Sequence, residues 1–381
     1  MTAAVEKSAG DDPTAGLVER LLAGSGGEIG RAQVGAELAG LLAGDRGATY
    51  WEQLVEAVQS LDAAAAIEPA TIVRRLLHGG ALRLSLAREQ FRSARSAAGS
   101  ASDTWAGLGH ALDAVLATAL HPAQLVLRRL AVTDSEHVLE QVRAGDVVHP
   151  PASLHDVASR LGPGREIFVF TTPTEPDESL AFVEVALGRG VPGSIHDILA
   201  GTQESPVAPD TATFYSINST RPLLRGTPFG PHLIARTAAA LAALYPTLSR
   251  WVTLSPAPNL ARWLTENEPA LDEQLSRLRA VDGRSPSELD HALTQAATRY
   301  LLATSPGGRR LVDPVARFHL GNGALLWRIN VGANRADYGW HESRGVMVNY
   351  LYDLDLAGVR AEAAAAGNPA AAPSLRPPPP Q

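Results

Sequence analysis

The sequence predicts an α+β protein in which an N-terminal all-α helical bundle is followed by a domain of mixed α/β structure. From Gly16 to about Leu120, apolar residues recur at helical spacing in segments that are separated by Gly- and Ser-rich breaks. From about Pro122 to Leu356, strand-like and helix-like segments alternate. A chain of 381 residues, 45% of them hydrophobic, is long enough to bury the cores of about two domains.

The two ends of the chain differ in composition from its interior. Residues 1–14 are polar and rich in Gly, Ala and Asp, and residues 358–381 are Ala-rich and end in LRPPPPQ. Such segments bury too little apolar surface to offset the entropy lost on folding. The sequence therefore predicts a disordered tail at 1–14, a helical domain at 15–120, a mixed α/β domain at 121–357 and a second disordered tail at 358–381.

Composition excludes several classes of chemistry. The sequence contains no cysteine, which rules out disulfides, thiolate catalysis and cysteine-ligated metal sites. Lysine occurs once, as Lys7 in the first tail, so the folded domains offer no lysine for a Schiff base, a biotinyl group or a Walker loop. The eleven histidines form no HExxH pattern, and we expect no metal centre.

Charge and hydropathy indicate which partners to expect. The net charge of -7 argues against a general nucleic-acid binder. No apolar run reaches the length of about 20 residues that a membrane-spanning helix needs. The first residues lack the apolar core of a signal peptide. We therefore expect a cytoplasmic protein that binds neither nucleic acid nor membranes.

A loop between a predicted strand and a predicted helix has the features of a phosphate site. The apolar run from Thr213 to Ile217 contains aromatic and β-branched residues, which predicts a strand. Pro231 stands where the first residue of a helix is expected. Backbone amides at a helix start and arginine side chains both favour a bound phosphate. The loop supplies Arg221, Arg225, Gly226 and Gly230.

Three further segments complete a pattern that resembles a known family. They are REIFVFTT and the residues after it (165–199), RWVTLSPAPNL (250–260), and DPVARFHLGNGALLWRIN with the later RGVMVNYLYDL (313–354). Together with the loop segment at 214–246, and in the same order, they resemble the malonyl-CoA decarboxylases. The catalytic domain of that family belongs to the GNAT acyltransferase superfamily. The resemblance covers roughly residues 105–354.

The resemblance implies both a fold and an activity. In the GNAT fold two neighbouring strands separate, and the acyl-CoA thioester lies in the gap between them. The implied reaction is that of a carboxy-lyase, which converts malonyl-CoA to acetyl-CoA and CO2 through a thioester enolate. The thioester carbonyl is itself the electron sink, so no organic cofactor is expected. The family's helical N-terminal domain makes oligomer contacts, which implies a homo-oligomer.

The resemblance also implies the residues of the site. His319 would contact the acyl unit and donate a proton, and Ser255 would hydrogen-bond the substrate carboxylate or His319. Tyr352 would donate a hydrogen bond to the thioester or the carboxylate. The remaining matches, implied to contact CoA or to shape the turn beside the histidine, are Arg221, Arg225, Gly226, Gly230, Asn322 and Gly323.

Some questions stay open at the level of sequence. A GNAT-type N-acyltransferase and a non-catalytic acyl-CoA-binding protein are the alternative functions. Pro228 stands where the family commonly has a glutamate that helps to order the active site, which bears on activity. The sequence decides neither between malonyl-CoA and methylmalonyl-CoA nor which residue delivers the proton.

Overall fold

An eight-stranded mixed β-sheet is the centre of the fold in the computed structural model. The structure describes residues 81–98, 103–201, 208–220, 229–280, 287–305, 310–353 and 355–375. The predicted tail at 1–14 and most of the predicted helical domain lie outside these ranges. So do three of the predicted site residues: Arg221, Arg225 and Gly226.

The strands of the described residues follow one another along the chain with helices between most of them. They are β1 (Val126–Arg129), β2 (Arg165–Thr171), β3 (Ala181–Gly188), β4 (Thr211–Ser219), β5 (Arg250–Thr253), β6 (Ser255–Pro256), β7 (Leu325–Asn330) and β8 (Met347–Tyr352). The α-helices are α1 (Ala81–Ala98), α2 (Asp103–Ala119), α3 (Glu136–Gly145), α4 (Leu154–Ser159), α5 (Ile195–Leu199), α6 (Phe229–Leu244), α7 (Leu260–Asn267), α8 (Pro269–Ala280), α9 (Ser287–Leu302), α10 (Pro314–Gly321), α11 (Asp337–Ser343) and α12 (Ala357–Ala365). Short 3-10 turns cover Pro122–Gln124 and Pro373–Leu375.

The sheet has the order β1-β2-β3-β4-β5-β8-β6, and β7 pairs with β8 as well. Strands β2, β3 and β4 form an antiparallel meander, whereas β4 and β5 run parallel. Strand β8 is antiparallel to three partners. On one side its C-terminal half pairs with β5 and its N-terminal half pairs with β6, and along its length it also pairs with β7. The sheet is therefore mixed, as the alternation of elements predicts.

Strands β4 and β5 separate partway along their length. Their parallel register runs from Thr211 opposite Arg250 to Phe214 opposite Thr253. The last contact is the Leu254 N–H, which donates to the Phe214 carbonyl at 3.0 Å. Beyond it, β4 continues to Ser219. The segment that follows β5 instead enters β6 and pairs with β8. A wedge therefore opens between β4 and β6.

The chain divides into two units, of which the first comprises 1–126 and 172–176. Its described helices α1 and α2 pack on each other through buried apolar side chains, among them Leu84, Phe91, Leu108 and Leu112. The second unit, 127–171 and 177–381, contains β2 to β8 and most of β1. The mixed α/β structure predicted after residue 121 is confirmed for this unit. The N-terminal bundle as a whole stays a prediction.

The core of the second unit lies on both faces of the sheet. Strands β2 and β3 are buried along almost their whole length, as expected for strands that are covered on two sides. One apolar cluster joins β2 and β3 to α3 and α4, and includes Val138, Val142, Ile167 and Phe182. A second joins β4 to α5 and β8, and includes Ile195, Tyr215, Leu254 and Met347. Packing on both faces fixes the strand ends that border the wedge.

The predicted disorder of the C-terminal tail is wrong for residues 358–375. Helix α12 covers most of its first part, since an Ala-rich segment has high helix propensity. After Gly367, whose φ is +89°, the chain returns to β7. The Leu326 N–H donates to the Ala370 carbonyl at 3.0 Å, and the Ala372 N–H donates to the Leu326 carbonyl at 2.8 Å. The tail thus adds a short parallel bridge to the sheet.

Candidate active site

Ser255 lies at the point where the chain leaves β5 and enters β6. Its backbone pairs with Val348 of β8, and its side chain is buried. The Ser255 hydroxyl donates to Oγ1 of Thr253 at 3.0 Å. Because side chains alternate along a strand, residues 253 and 255 share one face. That face borders the wedge, so the hydroxyl is held at its inner end.

His319 is in the last turn of α10, whose start is well defined by the sequence. Asp313 is the N-cap, and its carboxylate accepts the Ala316 N–H at 2.6 Å. Pro314 is the first helical residue, where its missing N–H costs nothing. The His319 carbonyl accepts the N–H groups of the two residues that end the helix and the turn, Asn322 and Ala324. The helix therefore points a fixed imidazole at the wedge.

The three residues predicted to be catalytic lie in one hydrogen-bonded chain. Nε2 of His319 is 3.1 Å from the Ser255 hydroxyl, and Nδ1 is 2.9 Å from the Tyr352 hydroxyl. These residues are separated by 64 and 33 positions in sequence, and the sheet brings them together. The imidazole is 3% exposed, so its two nitrogens are shielded from bulk water.

The surroundings decide the protonation state of each group. Burial lowers the pKa of His319 to about 3, so the imidazole is neutral at physiological pH. Burial also raises the pKa of Tyr352, which keeps the phenol protonated and able to donate to Nδ1. With Nδ1 accepting, Nε2 carries the imidazole proton and donates to Ser255, which in turn donates to Thr253. The proton order is therefore Tyr352, His319, Ser255, Thr253.

Aromatic rings hold the imidazole in place. Tyr350 stacks on it with a centroid separation of 4.6 Å and an interplanar angle of 25°. Phe318 approaches edge-on, with centroids 5.0 Å apart and planes at 78°. The two rings and the two hydrogen bonds together leave the imidazole little freedom to rotate.

Sequence reasoning gave no role to two residues that support this chain. Thr253 accepts hydrogen bonds from the Ser255 hydroxyl and from the Tyr350 N–H at 3.2 Å. The Asn349 amide, wholly buried, donates to the Thr253 carbonyl at 2.7 Å and so fixes the end of β5. Strand alternation in the segment VTLSP could have indicated Thr253. A buried asparagine at the centre of the apolar strand β8 is also a signal, since a buried amide requires partners.

A cavity of about 560 Å³ fills the wedge and reaches the hydrogen-bonded pair Ser255 and His319. One wall is formed by Tyr215, Ile217 and Ser219 of β4, and the other by Ser255 and Pro256. The first turn of α6 and several residues of α10 close its remaining sides. Both Ser255 and His319 line the cavity. Most of the lining is apolar, which suits an acyl group beside a few directed polar atoms.

The other predicted site residues have different positions. Gly230 is in the first turn of α6 and lines the cavity, where it faces the Phe318 ring. Asn322 also lines the cavity and is the C-cap of α10. Gly323 shapes the turn that follows: its φ is +81°, and a Cβ there would overlap the Ala357 carbonyl. Glycine at position 230 is predicted to allow close backbone approach to phosphate. Its contact with the Phe318 ring is a second reason for a residue without a Cβ.

Among the described residues, no group of three or more His, Cys, Asp or Glu side chains is placed to hold a metal ion. None of the described helices combines the length and the apolar character that crossing a membrane requires.

Comparison with known proteins gives the family. The family model described as "Malonyl-CoA decarboxylase C-terminal domain" matches residues 123–376. The chain belongs to the malonyl-CoA decarboxylase family. This match includes Ser255, His319 and Tyr352, and it extends over the C-terminal segment that packs on β7.

Similar proteins span bacteria and animals. The mitochondrial malonyl-CoA decarboxylase of Mus musculus is 31% identical over 271 residues, which is 61% of this chain and 54% of that protein. The chain thus spans about half the length of the curated relatives that it matches. The crystal structure of malonyl-CoA decarboxylase from Agrobacterium vitis is 29% identical with a TM-score of 0.75, and covers 95% of this chain and 98% of that one. The corresponding structure from Rhodopseudomonas palustris is 30% identical with a TM-score of 0.70, at 96% and 98% coverage.

Proposed function

We propose that this protein is a malonyl-CoA decarboxylase that releases acetyl-CoA and CO2. The observation that carries the proposal is the Ser255 hydroxyl, 3.1 Å from Nε2 of His319 on the wall of a cavity of about 560 Å³. Membership of the malonyl-CoA decarboxylase family supports the same activity.

In the proposed reaction the bond between the carboxylate and C2 of the malonyl group breaks. Its electron pair moves to C2 and onto the thioester oxygen as an enolate, and the carboxylate leaves as CO2. Donors aimed at such an oxyanion are each worth about 3 to 4 kcal/mol of transition-state stabilisation. The apolar lining favours loss of a charged carboxylate as a neutral molecule. The reaction balances with one proton added to C2.

The Ser255–His319 pair is the proposed source of that proton. Because His319 is neutral, the pair delivers a proton from a hydroxyl or from Nε2–H and then recovers one from water. Tyr352 keeps its own proton and holds Nδ1 as an acceptor, which keeps the proton of the imidazole on Nε2. A positioned proton donor of this kind contributes about 10²- to 10⁴-fold in rate.

The finer features of the fold enter the proposal as well. A GNAT-like domain is supported by the parallel pair β4 and β5, which separates where the cavity begins. The thioester would lie in this gap, with the CoA diphosphate near the start of α6 and the loop that carries Arg221, Arg225 and Gly226. No organic cofactor is required by the chemistry. The cytoplasmic location, the N-terminal bundle and the homo-oligomer stay predictions.

A direct assay tests the proposed function. Purified full-length protein is incubated with malonyl-CoA and no acceptor, and CO2 and acetyl-CoA are measured. We expect equal amounts of both products, and a fall in kcat of about 100-fold or more for His319→Ala and for Ser255→Ala. The exposed His291→Ala and Ser276→Ala serve as matched controls and should retain the rate.

Two results would point elsewhere. Malonyl transfer to an added amine, without release of CO2, would indicate the GNAT-type N-acyltransferase. Binding of malonyl-CoA with no turnover, unaffected by His319→Ala, would indicate a non-catalytic acyl-CoA-binding protein.

A further inference from the structure

The Phe318 ring spans the cavity from α10 to the first turn of α6. A Cβ placed on Gly230 would lie 2.5 Å from Cε2 of Phe318 and closer still to Cζ. Such a separation is shorter than any real carbon–carbon contact, so the far edge of the ring touches the α6 backbone itself. Both residues line the cavity. The ring therefore closes the space between the two helices.

The near side of the same ring is beside the catalytic imidazole. The centroids of Phe318 and His319 are 5.0 Å apart, with the ring planes almost perpendicular. The ring is thus held between the α6 backbone and the imidazole. It is half-buried, and its free surface faces the cavity.

This position bears on the carbon that receives the proton. A reacting carbon must come within about 3 to 3.5 Å of its proton donor, here Ser255 or His319. A substituent on that carbon would extend into the cavity that Phe318 lines together with Ser255 and His319. A hydrogen needs no further space at that place, whereas a methyl group does.

We propose that Phe318, seated against Gly230, selects the substrate by excluding malonyl thioesters that carry a substituent at C2. The proposal rests on the decarboxylase function proposed above and assigns the discrimination between malonyl-CoA and methylmalonyl-CoA to one side chain. Gly230 is the positioning residue, because only a residue without Cβ leaves the ring in this place. Phe318 is the specificity-determining residue.

The test is the ratio of kcat/KM for malonyl-CoA to that for methylmalonyl-CoA. One methyl group in an apolar pocket changes this ratio by about 10- to 200-fold. We expect the wild-type protein to favour malonyl-CoA, and Phe318→Ala to move the ratio toward methylmalonyl-CoA by that factor. Phe318→Leu, which keeps an apolar side chain of shorter reach, should move it in the same direction. An unchanged ratio in both variants would overturn the proposal.

Two controls separate selection from a loss of structure. Phe182→Leu shortens a fully buried ring in the core of the sheet, and should lower stability without changing the ratio. Gly230→Ala should lower kcat/KM for malonyl-CoA at least tenfold while Phe318 is present, and by a several-fold smaller factor in the Phe318→Ala background, where only the predicted approach to phosphate is affected. Equal effects of Gly230→Ala in the two backgrounds would show that the contact is not the reason for the glycine.

A binding measurement distinguishes failure of this proposal from failure of the proposed function. Calorimetry with acetyl-CoA and propionyl-CoA, the two reaction products, needs no turnover. We expect Phe318→Ala to strengthen binding of propionyl-CoA relative to acetyl-CoA by about tenfold or more. If the wild-type protein turned over neither thioester, the decarboxylase assignment would fall, and this ratio would still decide the role of Phe318.

Discussion

Nδ1 of His319 and the Tyr352 hydroxyl are 2.9 Å apart in a site where both side chains are buried. Removing the hydroxyl with Tyr352→Phe leaves Nδ1 without its donor, so the imidazole proton is no longer held on Nε2. A net hydrogen bond is worth about 1 kcal/mol, and more when its loss leaves a buried atom unpaired. We expect kcat for malonyl-CoA to fall about tenfold or more, with KM changed little, in a steady-state CO2-release assay.

The matched control for this change is Tyr338→Phe, which removes a hydroxyl from an exposed tyrosine on α11. It should leave kcat within about twofold of the wild-type value, since surface substitutions change little. If Tyr352→Phe also kept the full rate, Tyr352 would have only a packing role.

The pH dependence of activity follows from the neutral histidine. Burial lowers the pKa of His319 to about 3, against an ordinary value of 6.5. Between about pH 5 and 8 the folded protein therefore undergoes no change in the charge of this imidazole. We therefore expect that the pH profile of kcat/KM shows no ionisation of His319 near pH 6.5. NMR titration of ¹⁵N-labelled histidine, with His319→Gln used for assignment, checks the state of the ring directly.

The same shift has a consequence for stability. Below about pH 6.5 the unfolded chain protonates this imidazole, while the folded protein keeps it neutral down to about pH 3. Stability from this group is present above pH 6.5 and is lost as the pH falls toward 3. A His319 resonance that titrates with a midpoint near 6.5 in the folded protein would contradict both statements.

Much of the site could be predicted because its residues lie in local motifs. In the segment VTLSP the family resemblance placed Ser255 at the end of a strand, and in FHLGNG it placed His319 beside a turn. The helix that carries His319 was not predicted. The stacking of Tyr350 and the support of Thr253 by Asn349 could not be predicted in the same way. These contacts depend on how β8 pairs with three different strands, which is a property of the tertiary fold.

Gly230 and the C-terminal segment illustrate the same limit. Glycine at the start of α6 indicated a phosphate loop. Its contact with Phe318 joins two residues that are 88 positions apart in the sequence (230 and 318), so it could not be read from the local pattern. The Ala-rich segment after residue 358 indicated disorder from composition alone. It is ordered because β7 offers a free edge at Leu326, to which the segment pairs.

A second buried polar cluster lies under the β4 wall of the cavity and should influence stability. Arg160 contacts Asp146 at 2.8 Å and Glu184 at 3.0 Å, and both carboxylates are wholly buried. Asp146 also accepts hydrogen bonds from Ser216 and Asn218 of β4. Two carboxylates share one guanidinium, so the cluster is neutral only when one of them is protonated.

Glu184 is the group that holds the extra proton. Burial raises its pKa to about 7 from an ordinary value of 4.5, Arg160 opposes this, and Asp146 adds to it. Between about pH 4.5 and 7 the folded protein keeps a proton at Glu184 that the unfolded chain has released. Stability from this group is therefore full below pH 4.5 and is lost as the pH rises through 7, by on the order of 3 kcal/mol.

Glu184→Gln tests this expectation, because the amide has the same shape and does not ionise. Urea unfolding at pH 5 and pH 8 should show that the wild-type protein loses stability relative to the Gln variant as the pH rises. The exposed Glu266→Gln on α7 should follow the wild-type protein at both pH values. A constant difference between the wild-type protein and Glu184→Gln would mean that Glu184 is already ionised in the folded state.

The two glycines of the GNG turn after His319 should respond oppositely to alanine. Gly323 has a φ of +81°, and a Cβ there would overlap the Ala357 carbonyl at the start of α12, whereas a Cβ on Gly321 would meet nothing within 4 Å. The left-handed backbone alone costs an alanine about 1 to 2 kcal/mol, and displacement of α12 adds to this cost.

Gly323→Ala should therefore lower Tm by several degrees and reduce CO2 release. Gly321→Ala should leave Tm unchanged or raise it, since alanine favours the helix. Because the His319 carbonyl is bonded to this turn, the two losses in Gly323→Ala should occur together. Equal Tm values for the two variants would show that α12 does not brace the turn that follows His319.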